Sequence, residues 1–351
     1  MTDLRTLLTA RIRADGPIPL STYMAECLTH PVHGYYVTHD PLGQDFITAP
    51  EVSQMFGELV GLALAQAWQD QGRGPMTLAE LGPGRGTLMA DALRATAAVP
   101  GFHEAVRVHL VEVSPVLRAA QRTALAGVDV THHDHVDALP DGPALLIANE
   151  FLDALPIRQW TRTEGGWAET VVTLREGALA LARAPAGPVP ALAHRTDVPP
   201  GGVVERCPAL PGVVGAVASR VARSGAALFV DYGDWRSRGD TLQALRAGRM
   251  VDPLADPGGA DLTAHVDFEV VANAAAPAAA TGMERQGMWL ERLGLTQRAQ
   301  ALARESRGQA LDDLIAAHRR LAHPDEMGDL FKVLGLLPPG APPLAGLPPP
   351  Q

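Results

Sequence analysis

Met76-Thr77-Leu78-Ala79-Glu80-Leu81-Gly82-Pro83-Gly84-Arg85-Gly86-Thr87-Leu88-Met89 passes from an apolar run into a glycine loop and then into helical periodicity. Strand, loop and helix in that order are how a parallel sheet holds a nucleotide-like ligand at the carboxyl edge of its strands. Glycine reaches positive φ and lets backbone approach a ligand closely, while the start of the helix offers free N–H donors. Gly82, Gly84 and Gly86 are therefore predicted to bind a cofactor. Alone the signal is weak, and spacing sharpens it. Thr87 stands where a dinucleotide fingerprint needs its third glycine, and that pattern places its acid about 20 residues further on. Here the acid at the end of the next strand is Glu112, which disfavours a nicotinamide oxidoreductase.

The same alternation continues downstream. Residues 106–113 read as a second strand, and Ser114-Pro115 then gives an N-cap and a first-turn proline for a helix running to Gly127. Residues 129–131 and 144–148 read as further strands, the latter ending at Asn149-Glu150. Short apolar runs alternating with helices predict βαβ units. The fold class is α/β: a Rossmann-like sheet with helices on both faces, an N-terminal helical segment and a β-hairpin insertion. The hairpin is read from Arg158-Gln159-Trp160-Thr161 and residues 169–174 flanking Gly165-Gly166. Because an apolar strand resumes at 226–230, the insertion, about 157–205, is expected inside the sheet domain and not as an independent unit. Helices are expected within 282–322, and a last strand at 329–334. The expected boundaries are 1–74 for the helical segment covering the cofactor cleft, 75–337 for the sheet domain and 338–351 for a disordered Pro-rich tail. Thr48-Ala49-Pro50-Glu51 reads as a capping box ahead of a long helix that carries Met55, Phe56, Leu59, Val60, Ala63 and Leu64 on one stripe.

The chain has 351 residues, 46% hydrophobic and 19% charged, enough to bury a sizeable core. A formal net charge of −10 argues against attraction to nucleic-acid backbone or an anionic membrane and favours a cationic substrate. No run approaches the roughly 20 apolar residues of a membrane span. Two cysteines, Cys27 and Cys207, make neither a disulfide framework nor a Cys-rich zinc site, so a reducing, cytoplasmic setting is expected. His132, His133 and His135 flank Asp134, but adjacent residues do not converge on one ion, and a solvated turn is expected there instead of a metal site.

Acidic and amide groups stand at the ends of the strands. Asn149-Glu150-Phe151-Leu152-Asp153-Ala154-Leu155-Pro156 follows the buried strand, at the edge that faces the ligand crevice of a doubly wound sheet. Asn149 is counted with the cofactor contacts. Glu150 and Asp153, three apart on an expected helical turn, are the candidate catalytic pair. An arginine nucleophile, with a pKa above roughly 12, needs carboxylates to orient it and take its proton. The plainer readings are that Asn149 caps a short helix with both acids in its first turn, and that Glu112 complements the helix beginning at Pro115.

The order E-x-G-x-G-x-G followed by a strand-end acid resembles class I methyltransferases. That resemblance implies S-adenosylmethionine, with Glu112 on both ribose hydroxyls, Glu80 toward the methionine ammonium and Asp134 toward the adenine amino group. Thr48 to Glu58, Glu80 to Leu88, Leu110 to Pro115 and Asn149 to Pro156 further resemble the MidA-like methyltransferases. So do Pro31-Val32-His33-Gly34-Tyr35-Tyr36, Asp231-Tyr232-Gly233, Gly239 to Leu242, Asp261 to Phe268 and Met327 to Val333, in order over nearly the whole chain. The mitochondrial members of that family methylate an arginine of a respiratory complex I subunit during assembly. The resemblance therefore implies a protein arginine methyltransferase with such a subunit as partner. Leu245 departs from the aromatic residue expected there, which weakens the inheritance of substrate more than that of chemistry. Two rivals remain. One is an assembly chaperone with a structural cofactor, which Glu150→Ala/Asp153→Ala would leave active in assembly. The other is a small-molecule O- or N-methyltransferase, which needs no wide acidic cleft. Oligomeric state is left open.

Overall fold

The computed structural model describes residues 3–39 and 47–350, so parts of the expected N-terminal segment (1–2 and 40–46) and Gln351 of the expected tail lie outside the described residues. In chain order come α1 (Leu4–Asp15), the short strand β1 (Ile18–Pro19), α2 (Leu20–Thr29) and α3 (Tyr35–Thr38). Asp3 starts α1 by accepting the Thr6 N–H at 2.8 Å. Next are α4 (Ala49–Val52) and α5 (Gln54–Asp70), the latter capped by Ser53 through the Met55 N–H. The expected capping box does not form. Thr48 makes no side-chain cap, and the Glu51 carboxylate accepts the hydroxyl of Thr87 instead, a tertiary partner displacing the local one.

The sheet region follows as β2 (Met76–Leu81), α6 (Thr87–Thr96), α7 (Phe102–Ala105), β3 (Val106–Val111), α8 (Pro115–Ala124), β4 (Val130–His133) and β5 (Ala144–Asn149). Then come β6 (Arg158–Thr163), β7 (Gly166–Arg175), β8 (Ala178–Arg183), β9 (Val203–Arg206) and β10 (Gly225–Asp234).

Contacts divide the chain into two units, and the division is not the one expected from sequence. One unit is made, of the described residues, of 47–152, 211–235 and 268–350. Its sheet runs from the strand Ala279–Ala280 through Phe331–Leu337, β10, β5, β2 and β3 to β4. β10, β5, β2, β3 and β4 are mutually parallel, and Phe331–Leu337 closes the edge antiparallel to β10. All six residues of β5 are buried, as a central parallel strand covered on both faces requires. Chain order reverses between β2 and β5, the switch point beside which open α/β sheets bind ligands. On one face α5 packs against α6 so tightly that a Cβ on Gly61 would meet Ala92 Cα at 2.6 Å. The expected disordered tail is ordered: Leu344 and Leu347 are buried in this unit's core, and the Trp289 ring N–H donates to the Ala345 carbonyl at 3.1 Å. Composition there suggested disorder, but two leucines with an apolar surface to cover prevail.

The other unit comprises, of the described residues, 3–39, 153–210 and 236–267. Here β6 and β7 form the expected hairpin around Gly165, with Thr163 opposite Gly166. The hairpin is the middle of a sheet ordered β1-β7-β6-β9, with β8 beside β7. It belongs to a second unit and is not a simple insertion in the first. Leu8, Tyr23, Met24, Val172 and Leu262 lie in one buried cluster, so the N-terminal helices and the 157–183 strands share a core.

Candidate functional site

The glycine loop has the backbone its sequence requires: φ is +64° at Gly82, +52° at Gly84 and +85° at Gly86, all left-handed. The Gly82 N–H donates to the Val111 carbonyl at 3.0 Å, carrying the β2–β3 ladder one step into the loop. A Cβ on Gly82 would meet the Phe151 ring at 2.8 Å, so a larger residue has to displace that ring. Gly86 begins α6 and faces α8, where an added Cβ would sit 3.4 Å from Gln121.

Glu112 stands one residue past β3, its N–H bonded to the His133 carbonyl at 3.0 Å. Its Oε1 accepts the Ser114 N–H at 2.8 Å, and Gln121 Nε2 lies 3.4 Å from Oε2. Burial pushes this carboxyl up, opposed by the N–H groups of Ser114 and Val113. Glu80 ends the face of β2 just before the loop. Burial pushes its carboxyl up to about 8, with Glu112 adding in the same direction and the Met89 N–H opposing. Glu80 Oε2 and Asn149 Oδ1 are buried with no hydrogen-bond partner among the described residues. Orphaned acceptors of this kind are rare in folded chains unless a ligand or water supplies the donors. S-adenosylmethionine, with an ammonium and two ribose hydroxyls, carries donors of the right kind. The Gly82 and Gly86 N–H groups are taken by the Val111 and Pro83 carbonyls, so what the three glycines offer a ligand is close approach to a backbone without Cβ atoms. The residues fit the cofactor.

Asp134 is exposed and paired with Arg118 at 2.6 Å. Arg118 also donates to the Glu112 carbonyl at 2.7 Å and the His133 carbonyl at 3.0 Å, so it ties the ends of β3 and β4 together. The expected solvated histidine turn is only partly found. His132 and His133 are half-buried in β4, where His133 Nε2 meets His109 Nδ1 at 2.8 Å and His132 Nε2 meets Gln121 Oε1 at 2.8 Å.

Glu150 and Asp153 do not share a helical turn. Glu150 is left-handed, φ +51°, and the chain bends there. Its N–H still donates to the Val230 carbonyl at 2.9 Å, and the next two N–H groups, of Phe151 and Leu152, donate to Asp231 Oδ2 at 3.2 and 2.9 Å. These bonds with β10 take the place of the helix. Asn149 caps nothing; its Nδ2 donates to Glu150 Oε1 at 3.1 Å, which also accepts the Ala49 N–H at 2.8 Å. Asp153 falls in the other unit, where its carbonyl accepts the Ala264 N–H at 3.0 Å. Tyr36 donates its hydroxyl to Asp261 at 2.7 Å in that unit.

Two residues with clear roles at the first unit's site are given no role by the sequence: Asp231, present only within a matching motif, and Gln121. Asp231 had a readable signal, an acid at the end of an apolar strand. Gln121 had a fainter one, a polar residue in the buried stripe of Leu117 and Leu125.

Residues 59–288 match the family described as "Putative S-adenosyl-L-methionine-dependent methyltransferase". The chain is similar to "Protein arginine methyltransferase NDUFAF7, mitochondrial" of Xenopus tropicalis, 36% identical over 96% of this chain and 87% of that protein. The human protein of the same name is 33% identical over 93% of this chain and 82% of its own length. Among solved structures, a Burkholderia thailandensis protein bound to S-adenosyl-homocysteine matches with a TM-score of 0.86 and 31% identity, covering 98% of this chain and 94% of that one. The cytoplasmic setting expected from the cysteine content does not stand, because these curated relatives are named as mitochondrial proteins.

Proposed function

We propose, from the premise that this chain belongs to the family of S-adenosyl-L-methionine-dependent methyltransferases, that it methylates an arginine side chain of a protein and that this protein is a respiratory complex I subunit. Arginine as acceptor is supported by the names of the curated relatives, and the complex I subunit by the likeness to the MidA-like family. The observation that carries the cofactor part is the left-handed glycine loop beside two buried, unpartnered oxygens, on Glu80 and Asn149, at the switch point of the sheet.

Gly82, Gly84 and Gly86 would hold the cofactor by letting it approach the loop backbone closely where no Cβ intervenes, Glu112 would hold its ribose hydroxyls and Glu80 its ammonium. When bound, S-adenosylmethionine supplies an electrophilic methyl group on a positively charged sulfur. Glu150 would accept N–H bonds from the incoming guanidinium and align one nitrogen with that methyl. Glu150 would take the guanidinium proton that methylation releases, because arginine does not give it up to water at neutral pH. Asp134, held by Arg118, would face the adenine amino group. The test is mass spectrometry of complex I from cells with and without this chain. One or two methyl groups on a single arginine, present only with the chain, support the proposal. An unchanged arginine inventory refutes the acceptor and leaves the cofactor site standing.

A further inference from the structure

We infer that Gln121 is a positioning residue for the cofactor site: its side-chain amide locks the glycine loop to the Glu112 carboxylate, and His132 fixes which way that amide faces. The inference rests on the reading that this loop and Glu112 hold the cofactor.

Gln121 lies on α8 and is fully buried, between Leu117 and Leu125 on the stripe that faces the sheet. An apolar residue is the default there, since a buried amide costs free energy unless its hydrogen bonds are made. They are made, and each partner belongs to a different part of the site. Nε2 donates to the Gly84 carbonyl at 2.7 Å and lies 3.4 Å from Glu112 Oε2. Oε1 faces His132 Nε2 at 2.8 Å. An amide carries two N–H donors on one atom and acceptor lone pairs on the other. The carbonyl and the carboxylate can only accept, so the NH2 end must face them. The oxygen then faces His132, whose Nε2 must carry the proton. A flipped amide would set oxygen against two acceptors.

The consequence reaches the loop backbone. A trans peptide is planar, with C=O and the following N–H pointing opposite ways. Holding the Gly84 carbonyl against Gln121 therefore turns the Arg85 N–H away from α8. On the other side, Glu112 Oε1 is held by the Ser114 N–H and Oε2 by Gln121, so the carboxylate cannot spin. One amide thus sets the orientation of a loop peptide and of a strand-end acid that are otherwise separate in the chain.

The experiment is calorimetric titration with S-adenosylhomocysteine, alongside thermal melting, on wild type, Gln121→Leu, Gln121→Glu, Glu112→Ala and the Gln121→Leu/Glu112→Ala double variant. Leucine suits the buried stripe but leaves the Gly84 carbonyl without its donor, so Gln121→Leu should still fold, melt a few degrees below wild type and bind at least about 10-fold more weakly, the usual worth of a hydrogen bond to a charged group. The double variant should lose less affinity than the two single losses multiplied, because the contact between Gln121 and Glu112 is removed only once, while the Gly84 contact is still lost. Gln121→Glu puts a second carboxyl beside Glu112. It should bind most weakly at pH 8 and recover part of its affinity at pH 6, where a protonated carboxyl can donate again. A merely structural residue would show no such pH profile. Gln121→Leu binding within twofold of wild type overturns the inference. If that variant fails to fold, a pH-independent loss in Gln121→Glu overturns it equally. Wild type failing to bind at all would instead remove the cofactor reading on which the inference stands.

Discussion

Glu150 and Ala49 are joined across 101 residues of sequence by a 2.8 Å hydrogen bond from the Ala49 N–H to Glu150 Oε1. The bond ties the ligand edge of β5 to α4, whose Glu51 reaches Thr87 at the start of α6 at 2.5 Å. Glu150 is therefore a tether as well as the proton acceptor of the proposed reaction, and the two roles separate by substitution.

Glu150→Gln keeps an acceptor oxygen but loses the charge. It should retain the melting temperature and the S-adenosylhomocysteine affinity of wild type while methylation of the acceptor falls about 100-fold or more, in the range of a lost general base. Glu150→Ala should also unfold more easily, by about 1–3 kcal/mol, because the Ala49 N–H loses its partner. Full turnover by Glu150→Gln would remove the proton-acceptor role and leave the tether.

Gly82→Ala tests the loop. The left-handed φ of +64° alone costs a side chain about 1–2 kcal/mol. The added Cβ must also displace the Phe151 ring from 2.8 Å. Stability should drop and S-adenosylhomocysteine affinity should fall at least about 10-fold, on the scale of 1.4 kcal/mol per decade. Gly72→Ala is the control, with φ +94° and nothing within 4 Å of the new atom. It should cost stability and leave binding untouched. Equal affinities for the two variants would show that the loop does not face the ligand.

The first unit's sheet was legible because its signals are local. β2 and α6 begin and end where apolar periodicity and Gly86 place them, and Ser114 caps α8 as expected. What was hidden depends on partners distant in sequence. Glu51 has a good local partner in Thr48 and a better tertiary one in Thr87. The spacing of Glu150 and Asp153 suits a helix, but Asp231 on β10 captures the N–H groups that a helix would have used. The second unit is assembled from three separate stretches, whose shared core no window of sequence displays.

The C-terminal segment makes a simple stability prediction. Leu344 and Leu347 are buried beside Trp289, and Arg292 donates to the Gly346 carbonyl at 3.1 Å. Each leucine contributes about 1.5–3 kcal/mol by burial. Deleting residues 339–351 should lower the melting temperature by several degrees and expose apolar surface that binds a hydrophobic dye. Unchanged melting would mean the segment is not packed in solution.

The buried Glu80 carboxyl predicts how stability and binding depend on pH. Its ordinary value of 4.5 is pushed up to about 8, first by burial and then by Glu112. The folded protein therefore holds this proton more tightly than the unfolded chain does. The stabilisation is complete below about 4.5 and is lost as pH rises toward about 8, at up to about 1.4 kcal/mol per pH unit. Ligand-free protein should melt at a lower temperature at pH 8.5 than at pH 6, and Glu80→Gln should reduce that slope by one proton's worth. An ammonium placed beside Glu80 favours the ionised carboxylate. Saturation with S-adenosylhomocysteine should then flatten the slope in wild type, and binding at pH 7 should release a proton, read as a binding heat that varies with the ionisation enthalpy of the buffer. Identical pH slopes for wild type and Glu80→Gln, or buffer-independent heats, would place the ammonium away from this residue.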